Sequence, residues 1–189
     1  SMKKLVLGTA VLLAMMGSVN AAEYVIDGTG GGMHSSVNFR ASHLGISSLW
    51  GRFDGVTGHF SFDASNIAAS KIMVDINPAS INTNLEARDT HLKTGDYLDV
   101  EKFPTAGFVS TAIADMGAGK IQVTGTFTLH GVSKEISFVA VSTGAGDSPF
   151  GDYRAGFEGE IVINVADYGI NLLPKPELSL WLAIEGIRQ

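Results

Sequence analysis

Cysteine occurs nowhere in the 189 residues, which excludes disulfides, thiol nucleophiles, thiolate metal sites and lipid attachment through an N-terminal cysteine. Charge is sparse, at 17% of residues, and acids outnumber bases 19 to 13 for a formal net charge of −6. Such a surface argues against a nucleic-acid face or attachment to anionic lipid. The common catalytic spacings are missing as well. There is no G-x-S-x-G elbow and no H-E-x-x-H pair, and His34, His43, His59, His91 and His130 lack the i, i+3 or i, i+4 spacing of a helix-borne metal site. Only two tryptophans, Trp50 and Trp181, are available for a flat aromatic binding face.

Long hydrophobic runs are limited to one. Lys3 and Lys4 precede an uncharged stretch from Leu5 to Val19 that ends in Val19-Asn20-Ala21. It is too short for a comfortable membrane span and reads as a secretory leader over residues 1–21, with Ser1 an addition ahead of Met2. Cleavage would leave residues 22–189 as one domain of about 168 residues, large enough to bury a core without staples. Its formal charge would be about −8. The expected compartment is a bacterial periplasm, with no stable membrane insertion once the leader is gone; a monomer and a homodimer are both compatible.

What the chain does have is period-two alternation. In Lys120 to Leu129, Ile121, Val123, Gly125, Phe127 and Leu129 share one face while Gln122, Thr124, Thr126 and Thr128 share the other, the pattern of a half-buried strand. Similar runs place Val37, Phe39 and Ala41 on one side, and likewise Phe60 and Phe62; Ile72, Val74 and Ile76; Phe157, Ile161 and Ile163; and Leu178, Leu180, Leu182 and Ile184. Roughly eight strands result, with Gly117-Ala118-Gly119 and Gly144-Ala145-Gly146 as joints between them. Such a sheet either folds into a sandwich or closes on itself, and closure removes exposed edges. Periodicity leaves open whether a closed interior is filled by side chains or hollow.

One segment departs from the strand pattern. Thr83 with Glu86 three residues on is a capping-box signature, and Gly95 after Lys93 and Thr94 is a left-handed stop. The predicted helix runs from about Leu85 to Lys93 and sets Leu85, Arg88, Asp89 and Leu92 on one side, as a lid over an apolar space. Arg88 and Asp89 are expected to anchor it through Asp96 or Asp99.

These pieces occur in an order that resembles the YceI-like family, described as polyisoprenoid-binding periplasmic proteins with a lipocalin-like barrel. The likeness runs from Tyr24 to about Ile187. It is carried by YVID at Tyr24 to Asp27, HSSVNF at His34 to Phe39, HLG at His43 to Gly45 and GRF at Gly51 to Phe53. It continues through INT at Ile81 to Thr83, RDTHLKTGDYLD at Arg88 to Asp99, FP at Phe103-Pro104, GTFTLHGVSK at Gly125 to Lys134, RAGF at Arg154 to Phe157 and DYGI at Asp167 to Ile170. Two features depart from the family pattern. Val165-Ala166 stands ahead of Asp167 where an arginine is usual, and a GTGGG insert at Gly28 to Gly32 lengthens a turn; lacking Gly-Lys-Ser/Thr and a following helix, it is not a phosphate loop.

The resemblance implies an all-β fold, a closed antiparallel β-barrel of about eight strands, lipocalin-like, with a short helix covering one side or end. It further implies a long apolar tunnel for a polyisoprenoid or an isoprenoid quinone such as ubiquinone, with no cofactor required. Phe39, Phe53, Phe60, Ile76, Leu92, Leu98, Phe108, Phe127, Phe138, Phe157 and Tyr168 are the expected wall, and Gly125 and Ala155 are expected to leave room in it. His43, Asn38 and Arg154 are the candidates near a head group. At roughly 0.8 kcal/mol per buried CH₂ the tail would supply most of the affinity, and a forty-carbon tail needs on the order of 1,000 Å³. Two other readings stay open: a metal-assisted hydrolase in which His34, His43 and His91 converge, and a carbohydrate-binding β-domain using Trp50 and Trp181, the latter of opposite parity to Leu180 and Leu182.

Overall fold

The structure is a computed structural model describing residues 21–28 and 34–189; all of the leader but Ala21, and most of the glycine insert, lie outside the described residues. Eleven strand segments follow in chain order: β1 (Ala22–Ile26), β2 (Ser36–His43), β3 (Ser47–Phe53), β4 (Val56–Phe62), β5 (Lys71–Ile76), β6 (Ile81–Asn82), β7 (Ala106–Gly117), β8 (Lys120–Leu129), β9 (Val132–Asp147), β10 (Tyr153–Asn164) and β11 (Glu177–Arg188). Among the described residues there is one α-helix, α1 (Glu86–Leu92), between β6 and β7.

The eleven segments make eight staves. β1 and β2 both pair with β11, at Ile26 opposite Gly186 and Ser36 opposite Ala183, so they are one strand interrupted between residues 27 and 35. β3 with β4, and β5 with β6, are interrupted strands of the same kind, since β4 pairs β1 and β5 while β3 pairs β2 and β6. Each stave lies antiparallel to its neighbour in sequence, and β11 returns to β1 and β2 to close the ring. Closure satisfies the edges that an open sheet of this size would expose.

The interruptions have local causes. Pro78 cannot donate to a ladder and opens the 3₁₀ turn Pro78–Ser80 between β5 and β6. Ser80 Oγ then accepts from the Gly55 N–H at 2.8 Å, and Asn77 N–H donates to the Gly55 carbonyl at 2.9 Å, holding the β3–β4 break against it. Gly28 is required where it stands, because a Cβ there would lie 1.8 Å from the Val56 carbonyl oxygen.

Parity along the staves sends one apolar set inward to a single core. Gly117-Ala118-Gly119 forms the β7–β8 turn, all three residues with positive φ. Gly144-Ala145-Gly146, expected to be a joint, instead lies within β9, where Gly144 and Ala145 pair with Gly156 and Ala155 across a register shift; the turn falls later, after Asp147. Small residues there serve a bulged, exposed strand end rather than a loop.

Candidate functional site

Among the described residues, a space lies inside the barrel at each end. At the α1 end is a chamber of about 110 Å³ whose exposed lining is entirely apolar. Phe39, Phe53, Ile76, Leu92, Leu98 and Phe127 all line it, so six of the eleven expected wall residues are brought together here. Ala41, Leu49, Val165, Ile170, Leu173, Leu178 and Leu180 complete much of the rest. Val165, ahead of Asp167 where the resembled pattern carries a cation, is buried and adds apolar wall.

The opposite mouth is wider, about 530 Å³, and mixes apolar with polar groups. Phe60 and Phe157 line it, packed edge-on at 5.3 Å between ring centres, with Tyr24 stacked on Phe60 at 4.8 Å. Burial raises the Tyr24 hydroxyl above its ordinary value, with Tyr153 adding to the shift and Arg188 opposing it. Arg188 lies over the Tyr153 ring at 4.0 Å, and Lys120 and Asp115 stand nearby on the mouth.

Between the two spaces the barrel is filled. Phe108 and Phe138 meet edge-on at 5.4 Å in this waist, with Val37, Val74 and Val123 at 2% exposure or less. The continuous tunnel expected from the sequence is therefore interrupted here, and Phe108 and Phe138 line neither space. Gly125 leaves no vacancy, because Phe108 covers it and a Cβ there would sit 2.5 Å from the ring. Ala155 does open onto the mouth. Tyr168 is buried against Phe127, with rings 5.6 Å apart, and burial raises its hydroxyl pKa, the nearby Asp167 adding to the effect. Its carbonyl accepts a hydrogen bond from His130 Nδ1 at 2.9 Å, tying the β8 turn to the segment after β10.

The lid is built differently from the capping-box expectation. Leu85, not Thr83, is the N-cap residue, and it makes no side-chain cap. Thr83 is buried and holds the helix from below. Its N–H donates to Asp89 Oδ1 at 2.9 Å, and Arg88 donates to the Thr83 hydroxyl and carbonyl, both at 2.7 Å. Asp89 and Arg88 thus turn back to Thr83 rather than forward to Asp96 or Asp99; it is His91 that reaches Asp96, at 2.9 Å. The helix gives way at Lys93, and Gly95 is not left-handed. Leu85 is about half exposed, while Leu92 faces the chamber.

The polar candidates lie outside both spaces. Arg154 sits on the outer wall, where its guanidinium donates to Asp152 and Asp27, both at 2.8 Å, and to Glu185 at 3.0 Å. These hydrogen bonds raise the Arg154 pKa further, and in turn Arg154 first and Ser148 second hold the Asp152 carboxyl below its usual range. Asn38 points outward and bonds Ser36, and His43 is exposed at the β2–β3 tip. His34, His43 and His91 do not converge, since His34 joins Asp27 and Glu185, His91 joins Asp96 and His43 stands at the tip. Asp27, His34 and Glu185 offer ligand atoms within 4.8 Å of one another, but two of the three are already hydrogen-bonded to Arg154.

The sequence reading missed Arg188, Lys120 and Tyr153 at the mouth, all at strand ends where alternation carries no signal. It also missed Ile170 and Leu173, which reach the chamber from an irregular segment.

Comparisons agree with this geometry. The profile of the YceI-like domain matches residues 24–185. A UPF0312 protein of Vibrio vulnificus is 44% identical over 183 residues, covering 96% of each chain. Among solved structures, the YceI protein of Campylobacter jejuni superposes with a TM-score of 0.69 at 28% identity, covering 79% of this chain and 90% of that one. A polyisoprenoid binding domain from Saccharophagus degradans, implicated in plant cell wall breakdown, shares the fold at a TM-score of 0.65 and 17% identity, covering 90% of this chain and all of that one.

Proposed function

Because this chain belongs to the YceI-like family, we propose that it is a periplasmic carrier that sequesters an isoprenoid lipid, a prenyl chain or an isoprenoid quinone, with the tail in the chamber under α1. The observation that carries this reading is the chamber lining, which is aliphatic and aromatic throughout, with no titratable side chain beyond the phenol of Tyr97. Such a surface can bind hydrocarbon by removing it from water and has little to offer a reacting polar group. The description of the Saccharophagus degradans domain as polyisoprenoid-binding supports the choice of lipid. The leader-like N-terminal sequence is what supports export in this reading.

Catalysis is the weaker reading. The richest polar cluster, around Arg154, is spent on ion pairs that join β10 and β11 to the segment after β1. The test is native mass spectrometry with organic extraction of protein purified from its own host, followed by delipidation and reloading. Retained prenyl lipid at near one per chain is expected, with a melting temperature that falls on stripping and returns on reloading, since a ligand bound only by the native state stabilises it by mass action. A chain that emerges empty, and whose melting temperature ignores added prenyl lipid, would overturn the proposal.

A further inference from the structure

Resting on the carrier reading, we infer that the rim of the helix-end chamber docks reversibly on a zwitterionic phospholipid bilayer. The rim consists of the β2–β3 tip and the loop between β10 and β11. Leu44 and Ile46 at the tip are 56% and 81% exposed, and Leu172 in the loop is 56% exposed. Tight turns ordinarily carry polar residues or glycine, yet Leu44 holds a φ of 58° in this one, a conformation that Asn or Gly adopts at less cost. Conformation and solvation both work against a leucine there, and contact with hydrocarbon removes the second cost.

The exposed aliphatics are continuous with the chamber. Ala41 and Leu49, on either side of the tip, line it, and so does Leu173, next to Leu172. Tip and loop are neighbours, because a Cβ on Gly45 would lie 3.6 Å from Lys175 Cε. Further from the end, Trp50 stands 63% exposed on the outer face, opposite Arg40 in the ladder. An exposed indole on the strand behind a protruding aliphatic edge is the side-chain type that membrane interfaces favour. Exposed Arg40, Lys175 and Glu177 give the rim both signs of charge, which suits a zwitterionic headgroup layer; the net charge of −6 disfavours an anionic one. A hydrocarbon tail passing from bilayer to chamber at this rim need not cross open water.

The experiment combines L44N, I46S and L172S in the otherwise unchanged chain. Phosphatidylcholine–phosphatidylethanolamine vesicles, with and without added phosphatidylglycerol, are used for co-sedimentation, and solanesol is the cargo probe. Three exposed aliphatics entering the interface predict partition weaker by roughly 30- to 100-fold in the variant. Uptake of solanesol from vesicles should slow in proportion, while loading from detergent micelles stays unchanged and the melting temperature does not fall, since L44N relieves the positive-φ cost of Leu44. Undiminished co-sedimentation of the variant, or no co-sedimentation of the parent, would overturn the docking surface. A parent dimer that the substitutions dissociate, with vesicle binding untouched, would overturn it in favour of an interface between copies. If neither protein loads from micelles, the carrier reading fails, while co-sedimentation still decides the docking surface by itself.

Discussion

At the scale of single residues, the interior is shaped by glycines that aromatic rings cover. Gly51 faces Phe39 so closely that a Cβ would stand 2.2 Å from the ring edge, and Phe39 is a chamber wall. Gly51→Ala is therefore expected to push Phe39 into the chamber, costing about 1–3 kcal/mol of stability by overpacking and lowering prenyl-lipid loading. Thermal denaturation and a loading titration on the same preparation check both effects. On the outer wall, Asp152 has its carboxyl held down by Arg154 and then Ser148. A depressed carboxylate contributes stability that is present above its ordinary value near 3.8 and is lost as pH falls through the lowered one. Asp152→Asn should flatten the acid limb of the melting-temperature profile below that value and leave its slope near neutrality unchanged.

At the scale of elements, the strand pattern was legible wherever one face met the core. Val37 and Phe39, Ile72 to Ile76, Ile161 and Ile163, and Leu178 to Ile184 all point as their alternation implies, because a one-residue slip would expose the whole set. Reading failed where small polar residues choose among partners. Thr83 and Glu86 satisfy a capping-box pattern, yet Thr83 lies below the helix and binds Asp89 and Arg88. Spacing alone cannot distinguish a cap from a tether. The outward face of the polar candidates was in fact carried by alternation: Asn38 falls between inward Val37 and Phe39, and Arg154 has the opposite parity to Phe157 on a β10–β11 ladder without a register shift, while His43 stands at the hairpin tip. The tether makes α1 testable. Asp89→Ala leaves the buried Thr83 N–H without its acceptor, a loss of about 1–3 kcal/mol, and should quicken release of bound prenyl lipid. Exchange rates measured against the parent would show whether α1 governs access; unchanged rates would make it a fixed wall.

At the scale of the whole molecule, the filled waist sets what the barrel can hold without rearranging. The helix-end chamber, about 110 Å³, is of the order of the ~150 Å³ apolar cavity that accepts a benzene-sized guest, far below the roughly 1,000 Å³ that a forty-carbon tail needs. Short prenyl tails fit beneath α1 as the structure stands, and long ones require Phe108 and Phe138 to leave the axis and join the chamber to the mouth. Phe138 is seated over Gly159, where a Cβ would come 3.1 Å from the ring, so its displacement has a definite cost that binding energy must offset. Phe138→Ala removes that cost in advance. The empty variant should lose about 3–5 kcal/mol of stability, and the rise in melting temperature on adding a long prenyl lipid should exceed that of the parent, because the tail fills the cavity the ring left. A one-unit prenol, confined to the helix end, should shift both proteins equally. Equal shifts with the long lipid would mean that the waist does not gate chain length and that the tail lies elsewhere than along the barrel axis.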